Sequence, residues 1–299
     1  MKIPTKVYPY RLPYMGSKQN IAYSLMLTML QKKPKAKYFF DIFGGGAAMS
    51  LMAAQFGLKV FYTEKNAGIV NLLNFLKDNK IPDEWIKWIP REEFKNCIGK
   101  DDPYSVFVTV VWSFGNRRDT YLFGKDIEEL KRLAFEIIVN QDYKCLEKLQ
   151  KAIGLNLKMP NNKTINERRL SFTKQIKNHS KFKSGVQCLN QIEALSRLAA
   201  CERLQQLEYL QQLEYPYEEV IIYCDPPYRN TAEYTDNDFN PQEFDNWVKK
   251  LKYDVFISEY DTPFEKIASF GKMSLLNNSK EKKPLISENL YMHKAVLCS

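Results

Sequence analysis

Apolar residues fall into short unbroken runs separated by longer stretches whose apolar positions recur every third or fourth residue. Tyr38-Phe39-Phe40-Asp41-Ile42-Phe43, Lys59-Val60-Phe61-Tyr62-Thr63, Val220-Ile221-Ile222-Tyr223-Cys224 and Asp254-Val255-Phe256-Ile257 are the clearest runs. Continuous rather than alternating apolarity predicts strands buried on both faces, as in a parallel sheet. Helical periodicity predicts helices over about 19–30 with Ser17 as N-cap, 47–56 closed by Gly57, 66–77, 126–139 with an Asp126/Glu129 capping box, 142–153 stopped by Gly154, and from about 190. Further helices are expected at 241–251 and from Pro263, and strands near 272–276 and 290–297, with a hairpin around 280–283. The run 103–114 stays ambiguous between helix and strand because its β-branched residues suit either.

The strand-and-helix alternation is interrupted between about 116 and 202, which predicts an inserted, mainly helical lobe. The expected organisation is therefore 1–115 and 203–299 as parts of one α/β domain, with 116–202 between them. Leu204-Gln205-Gln206-Leu207-Glu208-Tyr209 is repeated directly as residues 210–215, but two copies do not make a solenoid. Tyr217, just ahead of the central run, is expected to line the crevice beyond it.

Asp225-Pro226-Pro227-Tyr228 follows that central run. Two prolines cannot donate to a ladder, so the strand stops and their carbonyls face the crevice where open α/β sheets bind ligands. A carboxylate, free carbonyls and an aromatic face within one turn are the parts needed to hold a planar base by its amino group. A simple strand-ending turn is the competing reading.

Gly44-Gly45-Gly46 lies between the first predicted strand and a helix, a βα turn that lets a ligand approach the backbone beside an electropositive helix start. Met49 stands where the third glycine of G-x-G-x-x-G would fall, so a nucleoside fits better than a pyrophosphate. Glu64 ends the second predicted strand, at the position where a ribose diol is gripped in such folds. Tyr14-Met15-Gly16-Ser17-Lys18 places a cation near a predicted helix start, where it hints at an anionic ligand group such as a carboxylate. An exposed first-turn lysine is the alternative. Glu259 and Tyr260, at another strand tip, are candidates to face the same crevice.

Forty-four Lys and Arg against 35 Asp and Glu give a net charge of +9. Eight basic residues and one acid lie between Lys158 and Lys183, so most of the excess sits inside the inserted lobe. Phosphate contacts suit this stretch, with Arg168, Arg169, Lys174 and Lys177 as candidates; Arg117 and Arg118, in the loop 113–121, are candidates for base contacts. Six cysteines are scattered singly without a C-x-x-C pair, which reads as reduced thiols with no metal site. No apolar stretch has the length of a membrane span and the amino terminus lacks an apolar signal region, so a cytoplasmic location is expected.

Tyr14–Lys18, Asp41-Ile42-Phe43-Gly44-Gly45-Gly46, Glu64 and Asp225–Tyr228, in this order, resemble the motifs of the Dam-type DNA adenine methyltransferases. Weaker likeness lies at Trp112–Asn116 and Ile257–Tyr260. The chain departs from that pattern in the glycine turn, where F-x-G-x-G is frequent and Phe43-Gly44-Gly45-Gly46 stands here, and in Glu64, where an aspartate is frequent. The resemblance implies an α/β fold, a doubly wound, mostly parallel Rossmann-like methyltransferase sheet with a target-recognition lobe, and transfer of a methyl group from S-adenosylmethionine to the exocyclic amine of a flipped-out adenine in double-stranded DNA. It implies Lys18 and Asp41 near the methionine end of the cofactor, Phe43 beside its adenine, Gly44 and Gly46 in the turn around it, Glu64 on its ribose, Tyr14 closing the pocket, and Asp225 where cofactor and target meet. Asp225, Pro226, Pro227 and Tyr228 would form the catalytic set. A bacterial or phage source and a partner restriction endonuclease belong to the same expectation. Alternatives are methylation of the cytosine amine, a structured RNA substrate, a DNA-binding protein that keeps the fold without catalysis, and another nucleoside-binding α/β protein.

Overall fold

The computed structural model describes residues 3–4, 6–8, 10–14, 16–182, 185–209, 214–229, 239–272 and 286–296. Seven strands among them form one sheet: β1 (Tyr38–Asp41), β2 (Lys59–Tyr62), β3 (Leu207–Tyr209), β4 (Val220–Cys224), β5 (Val255–Glu259), β6 (Glu265–Lys272) and β7 (Ile286–His293). Their order is β3-β2-β1-β4-β5-β7-β6. The first five are parallel, while β7 runs antiparallel to both β5 and β6. The fold is thus a doubly wound, mostly parallel Rossmann-like sheet.

Eleven helices accompany it among the described residues: α1 (Ala22–Lys32), α2 (Ala48–Gln55), α3 (Ala67–Asp78), α4 (Arg91–Cys97), α5 (Pro103–Val111), α6 (Glu128–Asn140), α7 (Tyr143–Ile153), α8 (Ile165–Ile176), α9 (Gln187–Ala199), the short α10 (Glu202–Gln205) and α11 (Pro241–Lys250). The chain divides into two compact units, one of residues 1–10, 17–65 and 205–299, the other of residues 11–16 and 66–204.

In the first unit every residue of β4 and β5 is buried. Strand alternation assigns their side chains to two faces. Phe40, Phe61, Ile222, Cys224 and Ile257 share one face, which packs against Phe244 and Val248 of α11. α2 packs on β1, β2 and β3. In the second unit α3 and α5 pack on each other and on α9, and α6 packs on α7 and α8. Trp85 and Trp88 belong to aromatic clusters here, Trp85 with Phe75, Tyr104 and Phe107, and Trp88 with Trp112, Phe123 and Phe135.

Several expected local features differ. α1 starts at Ala22 without a side-chain cap, so Ser17 is not its N-cap. Residues 103–111 are helical, because Asp102 accepts from Ser105 N and Pro103 occupies the first turn, where its missing N–H costs nothing. No capping box forms at Asp126; α6 begins at Glu128, and the box that does form joins Thr164 and Glu167 at α8. Pro263 does not open a helix but precedes edge strand β6. Residues 210–213 of the repeat, most of 272–276, the turn 280–283 and Lys183 lie outside the described residues.

Candidate active site

β1 and β4 are parallel neighbours with Asp41 opposite Tyr223, and Ile42 N donates to Tyr223 O at 3.0 Å. From β1 the chain proceeds to β2 on one side; from β4 it proceeds to β5 on the other. The strand order therefore reverses between β1 and β4, the position at which ligands bind in open α/β sheets. The glycine turn leaves the carboxyl end of β1 and Asp225 leaves the carboxyl end of β4, so both stand at the same end of adjacent strands.

The turn is clamped from β2. Gly44 N donates to Thr63 O at 2.8 Å, Gly45 N to Glu64 Oε2 at 2.7 Å, and the Tyr62 hydroxyl to Gly45 O at 2.7 Å. Gly45 takes φ of 46°, and a Cβ on Gly44 would stand 2.2 Å from the Tyr62 ring, so glycine is required there for close packing as well as for conformation. Phe43 turns its half-buried ring toward the edges of Phe239 and Phe244.

Asp41, 1% exposed, accepts through Oδ2 from Ser50 N at 3.1 Å and Ser50 Oγ at 2.6 Å. Its Oδ1 is buried and has no partner among the described residues. Burial pushes its carboxyl up to about 7, opposed by the Ser50 bonds and reinforced by Asp225 and Glu64. An orphaned buried carboxylate oxygen is costly unless a ligand donor meets it.

Asp225 is bonded through Oδ2 to Lys18 Nζ at 2.6 Å, a pair 207 positions apart in sequence. Lys18 is 5% exposed, which overturns the reading of it as an exposed first-turn lysine. Its ammonium is balanced by this carboxylate of the protein, whereas its sequence position had pointed to an anionic group of a ligand. Lys18 Nζ also lies 3.5 Å from Glu288 Oε1 on β7 and 4.9 Å from the centre of the Tyr228 ring. Tyr228 meets Tyr260 edge-on at 4.6 Å.

After the tetrapeptide, Arg229 ties the chain down through its guanidinium to Asp245 at 2.5 Å and through its N–H to Glu259 Oε2 at 3.2 Å. Glu259 Oε1 accepts from Tyr260 N at 2.8 Å, and burial pushes the Glu259 carboxyl up to about 7. Tyr217 is elsewhere: it precedes the amino end of β4, where its hydroxyl donates to Asp254 and its ring lies 3.8 Å from Lys33 Nζ. Standing at the opposite end of the strand, it does not line the crevice.

Lys18, Asp41, Phe43, Gly44, Gly46, Glu64 and Asp225 through Tyr228 all belong to the first unit. Tyr14 and the six basic candidates belong to the second. There Arg117, Lys174 and Lys177 are exposed. Arg118 bonds to Thr109 and Asn66, Arg168 to Gln141 and Val139 O, and Arg169 to Asn166 and Asn190. Sequence reasoning missed Ser50 and Glu288, the partners that fix Asp41 and Lys18.

Residues 14–283 match the family model described as D12 class N6 adenine-specific DNA methyltransferase. The chain belongs to that family. It is an enzyme, and its substrate is adenine in DNA. Family membership implies a methyl donor, and it settles the choice against the cytosine and non-catalytic alternatives. Comparison with individually curated proteins finds no match. Among the described residues no helix is long and apolar enough to cross a membrane.

Proposed function

We propose that the donor is S-adenosylmethionine and that transfer takes place where the carboxyl ends of β1 and β4 meet. The observation that carries this reading is the pairing of Asp225 with Lys18 at the strand-order reversal, beside an Asp41 oxygen that lacks a partner among the described residues. The residues fit the cofactor's chemistry. Asp41 Oδ1 suits its amino group, Glu64 its ribose hydroxyls, and the Gly44–Gly46 turn and Phe43 its nucleoside. When bound, the cofactor supplies an electrophilic methyl on a sulfonium centre.

The adenine amine is a weak nucleophile because its lone pair is delocalised into the ring. The Asp225 carboxylate and the Pro226 carbonyl accept its two N–H bonds, which favours a pyramidal nitrogen aimed at the methyl group. Lys18 fixes the carboxylate in place, and Pro227 keeps the backbone extended so that Tyr228 can offer its face to the base. The contribution is positioning and charge stabilisation.

Within a duplex the amine is out of reach, so the base is flipped at a cost of a few kcal/mol, and stacking on Tyr228 offsets about 1–3 kcal/mol. Replacing Tyr228 with Ala is expected to lower turnover about tenfold to a hundredfold with little change in cofactor affinity. Kinetics and calorimetry on the same preparation check this, and equal losses in both would remove the stacking role.

Residues 116–202 are the target-recognition lobe in this reading; residues 66–115, expected with the cofactor domain, share their unit, so the cofactor and the chemistry are assigned to residues 17–65 and 205–299. Arg117, Lys174 and Lys177, being exposed, would contact the DNA, whereas Arg118, Arg168 and Arg169, bonded within the chain, would hold the contacting segments in shape. Replacing Lys174 and Lys177 together with Ala is expected to reduce the slope of log affinity against log salt by about 1.8. Fluorescence anisotropy across a salt series measures it. An endonuclease cutting the same sequence is the partner such methylation would protect against.

The reading is tested by incubating the protein with methyl-labelled S-adenosylmethionine and unmodified duplex DNA, then analysing the nucleosides. Labelled N6-methyladenine is expected, and an absence of labelled product would overturn the choice of donor.

A further inference from the structure

Lys18 is shared by two carboxylates that arrive on different strands, Asp225 from the end of β4 at 2.6 Å and Glu288 from β7 at 3.5 Å. The Lys18 and Glu288 side chains are 4% and 0% exposed, whereas Asp225 keeps 19% of its side chain open. One carboxylate is enough to balance one ammonium. Burying a second adds a desolvation cost with no corresponding need for stability. Glu288 reaches this place because β7 is inserted between β5 and β6, with the adjacent Asn289 in register with Glu259.

We propose that Glu288 is a positioning residue for methyl transfer, holding the Lys18 ammonium against Asp225 and setting, by its own charge, how much of the lysine's positive charge Asp225 feels. This rests on the reading of Asp225 as the acceptor of the adenine N–H bonds. With Glu288 ionised, the Lys18 charge is divided between two carboxylates. Asp225 is then the stronger acceptor as positive charge develops on the adenine nitrogen. With Glu288 protonated, a larger share of the Lys18 charge falls on Asp225 and weakens it in that role.

Among the described residues Lys18 and Asp225 are charged groups that act on Glu288, and the buried Tyr223 hydroxyl on β4 is also within electrostatic range. Burial pushes the Glu288 carboxyl up to about 7, with Asp225 raising it and Lys18 opposing. The switch between the two charge states therefore falls near neutral pH.

Single-turnover methyl transfer at saturating cofactor tests this, measured against pH for the wild type, E288Q and E288D. Saturation makes ionisation of Asp41 appear in cofactor binding rather than in rate. The ratio of wild-type to E288Q rate is expected to widen about tenfold as pH rises through 7, the size of one unit of charge coupling. E288D, which keeps the charge on a shorter arm, should retain the rise with a displaced midpoint. A constant ratio across the range, or a midpoint unmoved in E288D should E288Q fail to fold, would overturn the proposal. Activity retained by D225A would instead overturn the reading beneath it, so the two failures are distinct.

Discussion

Replacing Asp225 with Ala is expected to lower methyl transfer by about a thousandfold or more while leaving the fold intact, the scale seen when a preorganised charge-stabilising group is removed. The carboxylate lies at the end of a five-residue strand whose own residues are all buried, so β4 does not depend on it for packing. The change also frees Lys18 from its closest partner, but Glu288 remains 3.5 Å away to balance the ammonium. Transfer of labelled methyl groups to unmodified DNA measures the loss, and far-ultraviolet circular dichroism checks the fold. Activity within tenfold of wild type would remove Asp225 from the chemistry.

Lys18→Met is expected to affect both activity and stability. It removes the cation shared by two carboxylates, one fully buried, and breaking such a pair costs about 3–5 kcal/mol. The lower end is expected because Asp225 is partly open to water. The penalty depends on pH. Glu288 titrates near 7 in the folded protein, above its unfolded value of 4.5, so it favours the folded state in acid and that contribution fades as pH rises through about 7. Below that pH a protonated Glu288 tolerates the loss of Lys18, and above it an ionised Glu288 does not. Denaturant melts of both proteins should therefore show a stability gap that widens from acid to alkaline pH. A gap of equal size on both sides of 7 would place the cost in packing rather than charge.

What could be read from the sequence follows burial. β1, β2, β4 and β5 are covered on both faces and so appear as continuous apolar runs, and Pro226-Pro227 marks the end of β4 by removing two donors. The glycine turn is legible because few residues other than Gly suit it. The exposed edge strand β6 has no such signature, and Pro263 before it looked like a helix start. Residues 103–111 carry a helix signal in Asp102-Pro103, an N-cap followed by a proline in the first turn, which outweighs the β-branching of the residues that follow.

The pairing of Lys18 with Asp225 has no local sequence signal, since the two stand 207 positions apart and meet only through the tertiary packing of the first unit. Glu288 was hidden for a related reason. It lies in the polar stretch Ser287-Glu288-Asn289, before the apolar residues from which the last strand was recognised, and its burial depends on insertion of β7 between β5 and β6. The sign and position of the basic stretch were plain, but the chain alone does not reveal that Arg168 and Arg169 bond within it while Lys174 and Lys177 face outward.

The most direct test is a crystal structure of the protein bound to a non-reactive S-adenosylmethionine analogue. The amino group should lie on Asp41 Oδ1, the ribose on Glu64, and the atom replacing the sulfonium beside the Asp225 carboxylate. An analogue bound at the amino ends of β1 and β4, near Lys33 and Tyr217, would contradict the account.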